Sequence, residues 1–457
     1  MHQWTGGAAT DRFRRTEWAV FVVFLVTTLA RGTGEFRYDA LYYWWGAQDV
    51  VGTIPAAPDD YWYLRGILTA AVYAPAAALD ALAGNNLAGF AVLLQNGAVL
   101  AWFAAFLLPR LVSGNAVTSG CYSRHLPSER ARWIGAGFVW LVAAGFARYP
   151  LVDIYPAVGC FAIVVMLRSR QALVLLFAGV VAGVIVNLRP AYVIVIALLI
   201  GVALVRYWRT GLWMVVGSAL GSVPQVLFNF VRLGARGVLP PDSASLMALQ
   251  TGLASYIVRY DTVFASPQPQ LFFCSPTMAS RIGSTAPSST GGLAGVFLAN
   301  LPASAIFALE KIGAALHWPL STPYTTPMAG VDGLFATAIV AIAVVGCTAV
   351  IAFLTLRRQA RSAARGDALG LVAIAIGTLL ILVSSATESR FALPLVLVGV
   401  VGCAQLAALD FARVWNAHRT WAIAALIGTA LLVVLGYLGL AHPVPGGGFD
   451  LNACVEA

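Results

Sequence analysis

Phe36-Arg37-Tyr38-Asp39-Ala40-Leu41-Tyr42-Tyr43-Trp44 forms the centre of a stretch, Thr33 to Val51, that directly follows the first apolar segment of the chain. Read as a helix, it places Asp39 and Tyr43 on one face at i and i+4, with Tyr42 beside them at i+3. An acid, an arginine and several aromatics emerge where an apolar helix has just ended. That pattern suits a helix lying in the headgroup plane of a bilayer. Taken alone, it also suits a simple juxtamembrane anchor carrying an incidental carboxylate.

The rest of the chain decides which membrane architecture surrounds it. Of 457 residues, 60% are hydrophobic and only 10% are charged, and the mean hydropathy is +0.82. Soluble domains do not have this composition, and apolar stretches of spanning length recur from end to end. The first, Trp18–Leu29, lacks a small-residue cleavage site after it and reads as a retained helix. Further segments are expected at about 86–109, 133–147, 152–167, 171–187, 211–230, 331–356 and 367–386, with three more between and after them. The expected fold is an all-α polytopic integral membrane protein with about 11 transmembrane helices and large extracytoplasmic loops. Residues 66–83, interrupted by Pro75 and Asp80, read as a helix at the outer surface rather than a span. Three regions follow: an N-terminal membrane module, 1–230, whose first extracytoplasmic loop is 32–85; a polar loop region, 231–330; and C-terminal helices with an outer tail, 331–457.

Charge orients the drawing. The net charge of +9 comes almost entirely from arginine, Lys311 being the one lysine. In a soluble protein this would suggest nucleic acid; here the basic residues concentrate in the short loops of one side, which the positive-inside rule makes cytoplasmic, with the N-terminus. The chain therefore reads as a multi-pass plasma-membrane protein with membrane lipids, and no nucleic acid, around it. Asp39, Asp153, Arg189, Glu388 and Arg390 then all fall at the outer ends of apolar segments. A single charge at such a place snorkels to the interface; five at one end, under two large loops, point to a site. Cys274 and Cys454 are both placed outside, where they can pair. The sequence holds no metal-ligand spacing, phosphate-binding glycine loop or Gly-x-Ser-x-Gly elbow.

The order of these features resembles the GT-C glycosyltransferases, in the branch of protein O-mannosyltransferases and the bacterial aminoarabinose transferase. Four places carry the likeness: Asp39-Ala40-Leu41-Tyr42-Tyr43-Trp44, with Ala40 where the family has Glu; Tyr149-Pro150-Leu151-Val152-Asp153; Arg189-Pro190; and Glu388-Ser389-Arg390-Phe391-Ala392-Leu393-Pro394. Asn229-Phe230-Val231-Arg232 is a weaker echo, and the Asn-Gly-Gly frequent in the family's outer loop is missing. The resemblance implies a GT-C-like fold and inverting transfer of a sugar from a polyprenyl-phosphate donor to a hydroxyl of a cell-envelope glycan, lipid or protein on the extracytoplasmic face. Mannosyl- and arabinosyltransferase-like chemistry both fit.

Such transfer needs a base for the acceptor proton and cations for the departing phosphate. Asp39 is the candidate base, its pKa expected to rise near a low-dielectric surface. Arg189 and Arg390 are the candidate phosphate ligands, since guanidinium forks onto phosphate oxygens; as structural ion pairs, Arg189 would instead meet Glu388 or Asp153. Asp153 and Glu388 would bind substrate or orient an arginine, and Tyr42 and Tyr43 would offer sugar-stacking faces or hydrogen bonds. No cofactor is expected: the resemblance implies a metal-independent branch, and Asp59-Asp60, which could bind a divalent cation, reads as a solvated turn. The alternative is a transporter or lipid flippase using Asp153 and Arg189 as coupling charges, but it should show paired halves, and no repeat is visible.

Overall fold

The computed structural model describes residues 6–54, 59–113, 129–258, 272–275, 278, 290–317, 332–356, 362–408 and 419–444. Nearly all of them are helical. An apolar environment offers backbone N–H and C=O groups no water, so the chain satisfies them within each segment. In order, the helices are α1 (Gly6–Leu29), α2 (Asp39–Val51), α3 (Asp59–Leu64), α4 (Ile67–Ala71), α5 (Ala74–Leu82), α6 (Ala88–Trp102), α7 (Leu108–Ser113), α8 (Glu129–Ala143), α9 (Ile154–Met166), α10 (Ala172–Leu188), α11 (Val193–Arg232), α12 (Ser243–Leu253), α13 (Thr290–Ala299), α14 (Leu301–Leu316), α15 (Asp332–Leu356), α16 (Ser362–Ser384), α17 (Ser389–Ala407) and α18 (Arg419–Gly439).

Six helical stretches of the described residues are long and apolar enough to cross a membrane. They are Ala88–Val112, Pro190–Arg232, Gly333–Leu354, Gly366–Ser384, Ser389–Ala407 and Arg419–Gly439, and the bent pair α13–α14 makes a seventh if it is one span. The protein is thus a polytopic helical membrane protein, and the expected eleven spans are not reached on length and composition. One reason is that α9 and α10, though apolar, are only 13 and 17 residues long. Another lies inside α11, where Tyr207 leaves helical geometry (φ −142°, ψ 48°). The chain turns back there: a Cβ on Gly211 would lie 2.8 Å from the carbonyl oxygen of Ala203, an approach that a straight helix cannot give residues eight apart. The arm after the turn packs against α10 with backbones in contact. A Cβ on Gly179 would lie 2.1 Å from Met214 O, and one on Gly217 2.0 Å from Leu176 O, so only glycine fits at either place.

Residues 66–83 form α4 and α5, five and nine residues long, which are too short to cross a bilayer. With α2 and α3 they build a core of their own, separate from that of the main bundle. Tyr43, Trp44, Tyr61, Trp62 and Tyr73 fill it, each at most 5% exposed. The aromatic density that reads as an interfacial belt in sequence is therefore mostly interior packing.

The region 231–330 departs from a purely polar loop. It carries α12, α13 and α14, and α13 meets α14 at 115°. Asn300 makes the corner by accepting from Ala303 N, with proline at the start of the next helix. Ser, Pro and Gly on either side dilute these short apolar runs in the sequence. A two-stranded antiparallel ribbon, Ile257–Val258 with Phe272–Phe273, completes the region. His442 O accepts from Cys274 N (2.8 Å) and Phe272 O from Val444 N (2.9 Å), tying the segment after α18 to it. Cys274 is disulfide-bonded; Cys454, its expected partner, lies outside the described residues.

Candidate active site

Asp39 is the first residue of α2, where a carboxylate complements the positive end of the helix dipole. The backbone entering it is strained: Tyr38, with φ 50° and ψ −129°, occupies a region that side chains disfavour. Arg390 lies at the start of α17, an unfavourable place for a cation. Glu388, the residue capping α17, accepts from Arg390 Nε and offsets that cost. Arg189 ends α10 in extended geometry (φ −150°, ψ 94°), as the following Pro190 requires. Asp153 precedes α9, and its side chain is 1% exposed.

Between these ends lies a chain of ion pairs. Asp39 spans two guanidinia: Arg65 Nη2 donates to its Oδ1 at 2.8 Å and Arg390 Nη2 to its Oδ2 at 3.0 Å. Arg189 Nε donates to Asp153 Oδ1 at 3.0 Å. Arg189 and Arg390 share the Phe391 ring, at 4.7 and 5.4 Å from its centroid. Arg65 lies 5.6 Å from the centroid of the Tyr43 ring. Asp39, Arg65, Asp153, Arg189, Glu388, Arg390 and Tyr43 are thus one assembly. Of the two pairings open to Arg189 in the sequence, the structure has the one with Asp153, and Glu388 goes to Arg390. Tyr42 is set apart from these ion pairs: it is 42% exposed, with its ring edge-on to Trp45 at 5.5 Å.

The electrostatics differ from the expectation for Asp39. Burial pushes its carboxyl up, but Arg65, Arg390 and Arg189 together outweigh burial and hold it well below the usual carboxylate range. As it stands, Asp39 is a firmly ionised anion and a weak base. For Glu388 burial wins over Arg390 and Arg189, and its pKa is raised. Arg189 Nη2 and Asp153 Oδ2 are among the buried atoms with no hydrogen-bond partner among the described residues. An orphaned guanidinium nitrogen of this kind calls for a ligand oxygen or a water.

Arg65 is absent from the sequence-derived candidates. It lies at the break between α3 and α4, and nothing in the local pattern distinguishes it. Gly66 places it: with φ +73° it ends α3, and its missing Cβ leaves room for Gln225, whose Oε1 accepts from Ile67 N at 3.0 Å. Gln225 in turn donates to Asn229 Oδ1, and Asn229 Nδ2 donates to Gly237 O and Leu239 O. The one available signal was an isolated arginine among aromatics, Tyr61-Trp62-Tyr63-Leu64-Arg65. Among the described residues no group of three or more His, Cys, Asp and Glu side chains is placed to hold a metal ion. The side chains of Asp59 and Asp60 lie outside the described set.

No protein-family model matches the chain, and no curated protein matches it. Among solved structures it is similar to the oligosaccharyltransferase AglB of the archaeon Archaeoglobus fulgidus, in complex with an inhibitory peptide and a dolichol-phosphate. The identity is 13% and the TM-score 0.38, over 93% of this chain and 55% of that one. The chain thus spans about half the length of that structure.

Proposed function

We propose that the protein is a membrane glycosyltransferase that moves a sugar from a polyprenyl-phosphate donor to an acceptor hydroxyl at the Asp39 end of the bundle, on the extracytoplasmic face. The observation that carries this reading is a carboxylate spanned by two guanidinia, Arg65–Asp39–Arg390, beside a third, Arg189, whose Nη2 is buried and unfilled. Three arginines acting on one carboxylate are a phosphate's chemistry, and Asp39 holds the position of an anion among them.

The donor phosphate competes with Asp39 for Arg65 and Arg390 and takes up Arg189 Nη2. Released from two cations, Asp39 regains basicity. It then accepts the proton of the acceptor hydroxyl as that oxygen bonds to the anomeric carbon. The bond from that carbon to the phosphate oxygen breaks, and the electron pair leaves with the phosphate, whose added charge the arginines stabilise. Attack from the face opposite the phosphate inverts the anomeric centre. Glu388 keeps Arg390 aimed, Asp153 keeps Arg189 aimed, and the exposed ring of Tyr42, edge-on to the half-buried Trp45, offers a sugar a stacking surface.

The test is transfer in membranes from a panel of radiolabelled polyprenyl-phosphate sugars, comparing the wild type with Asp39→Asn. Turnover with one donor that falls by about 10²–10⁴-fold in the variant supports the reading. Equal turnover in both removes Asp39 as base, and no turnover with any donor sinks the transferase reading.

A further inference from the structure

Lys311 has no part in the chemistry above, yet it is 0% exposed. Among the described residues no carboxylate meets its amino group. Nζ donates to two backbone carbonyls, Ala254 O at 2.8 Å and Ser385 O at 2.7 Å, and lies 5.6 Å from the centroid of the Phe307 ring. Ala254 caps the C-terminus of α12, and Ser385 follows the last residue of α16. One amino group therefore satisfies carbonyls at the C-terminal ends of two helices, groups that have no partner within their own helix. Burying an ammonium group is costly, and a methionine would fill the same space without that cost.

What Lys311 grips explains its presence. Ser385 opens the turn Ser385-Ala386-Thr387-Glu388 that leads into Arg390. A second side chain holds the same turn: Gln250 Oε1, on α12, accepts from Ala386 N at 3.2 Å. α12 and α14, both from the region between α11 and α15, thus fix successive residues of the turn, while its far end supplies Glu388 to Arg390 and Arg390 to Asp39. We propose that Lys311 is a positioning residue for Arg390, pinning the turn so that docking of α12 sets the guanidinium against Asp39 and the Phe391 ring. For catalysis this role rests on the donor reading above; the placement of Arg390 does not.

The experiment uses the full chain in lipid nanodiscs with 4-fluorophenylalanine at position 391, the ring that both guanidinia face. The fluorine resonance is recorded for the wild type, Lys311→Met, Lys311→Arg and, as a reference for a displaced guanidinium, Arg390→Gln. Thermal unfolding and the affinity for decaprenyl phosphate are measured on the same samples. In Lys311→Met the resonance should move towards that of Arg390→Gln and decaprenyl phosphate should bind at least about tenfold more weakly, with the unfolding midpoint held within a few degrees. Lys311→Arg, which still donates to both carbonyls, should recover part of each change. A resonance unmoved in Lys311→Met overturns the proposal, as does a lowered unfolding midpoint with resonance and affinity unchanged. If Lys311→Met does not fold, Gln250→Leu releases the same turn through Ala386 and must move the resonance in the same direction. Failure of the wild type to bind decaprenyl phosphate, with the resonance shift intact, overturns the donor reading and leaves the positioning role standing.

Discussion

Asp39 carries two guanidinia on its two oxygens, and this fixes how it responds to pH. Its folded pKa is depressed, so its contribution to stability is complete above the ordinary carboxylate value and is lost only as pH falls through the lower, folded one. The stability difference between wild type and Asp39→Asn should be flat from about pH 8 to pH 5 and close only in stronger acid; chemical denaturation across that range reads it. Arg65 shares the burden of holding Asp39 ionised. Arg65→Gln removes a cation, lets the Asp39 pKa rise, and should move the acid limb of kcat/KM to higher pH. It should also lower kcat/KM by roughly ten- to a hundredfold. Tyr38 offers a third handle, since glycine accepts its backbone angles without strain. Tyr38→Gly should stabilise the fold by about 1 kcal/mol, read as a higher unfolding midpoint. Asp39, Asp153, Arg189, Glu388 and Arg390 were legible in the sequence because each lies at an end of an apolar segment. Arg65 was not, because its place depends on a contact between Gly66 and Gln225, residues far apart in the chain. The depressed pKa of Asp39 was missed for the same reason: its sign is set by the arginine that the sequence conceals.

Among the elements, α2, α10 and α17 deliver their residues by local rules that a sequence displays: a helix start, a residue forced extended before proline, an acid that caps. The short helices α3, α4 and α5 follow no such rule. They are held by a shared aromatic core, and their boundaries emerge only from packing. The turn at Tyr207 is similar, for arginines on both sides mark a membrane edge without revealing how sharply the chain reverses. The interlocking of α10 with the second arm of α11 is among the most exacting contacts of the fold. A methyl group on Gly179 or Gly217 meets backbone, which cannot move aside as a flexible side chain can. Gly217→Ala should therefore cost about 3 kcal/mol or more and reduce the folded yield, measurable by thermal unfolding in detergent. Because Gln225 lies further along that arm and supports the Arg65 break, the same substitution should weaken the Asp39–Arg65 bridge as well.

Across the whole molecule, the charges divide between the two ends of the bundle. At the end opposite Asp39, Arg168 meets both oxygens of the buried Asp367, at 3.0 and 2.8 Å, and its Nη2 also donates to Arg110 O. This pair joins α16 to the segment after α9 and lies about 25 Å from the other end of α16, given the helical rise. Asp367→Asn should destabilise the protein by about 3 kcal/mol while leaving affinity for decaprenyl phosphate unchanged; unfolding and binding measured on one sample separate the two effects. The hydrogen bond between Arg390 and Asp39 joins residues 351 positions apart. During synthesis, α2 leaves the ribosome long before its partner exists, and Asp39 waits without Arg390 while most of the membrane helices are inserted. A chain interrupted anywhere before α17 can enter the bilayer, but it cannot complete the site. Such products lack Glu388 and Arg390, and under the proposed function they should consume no donor.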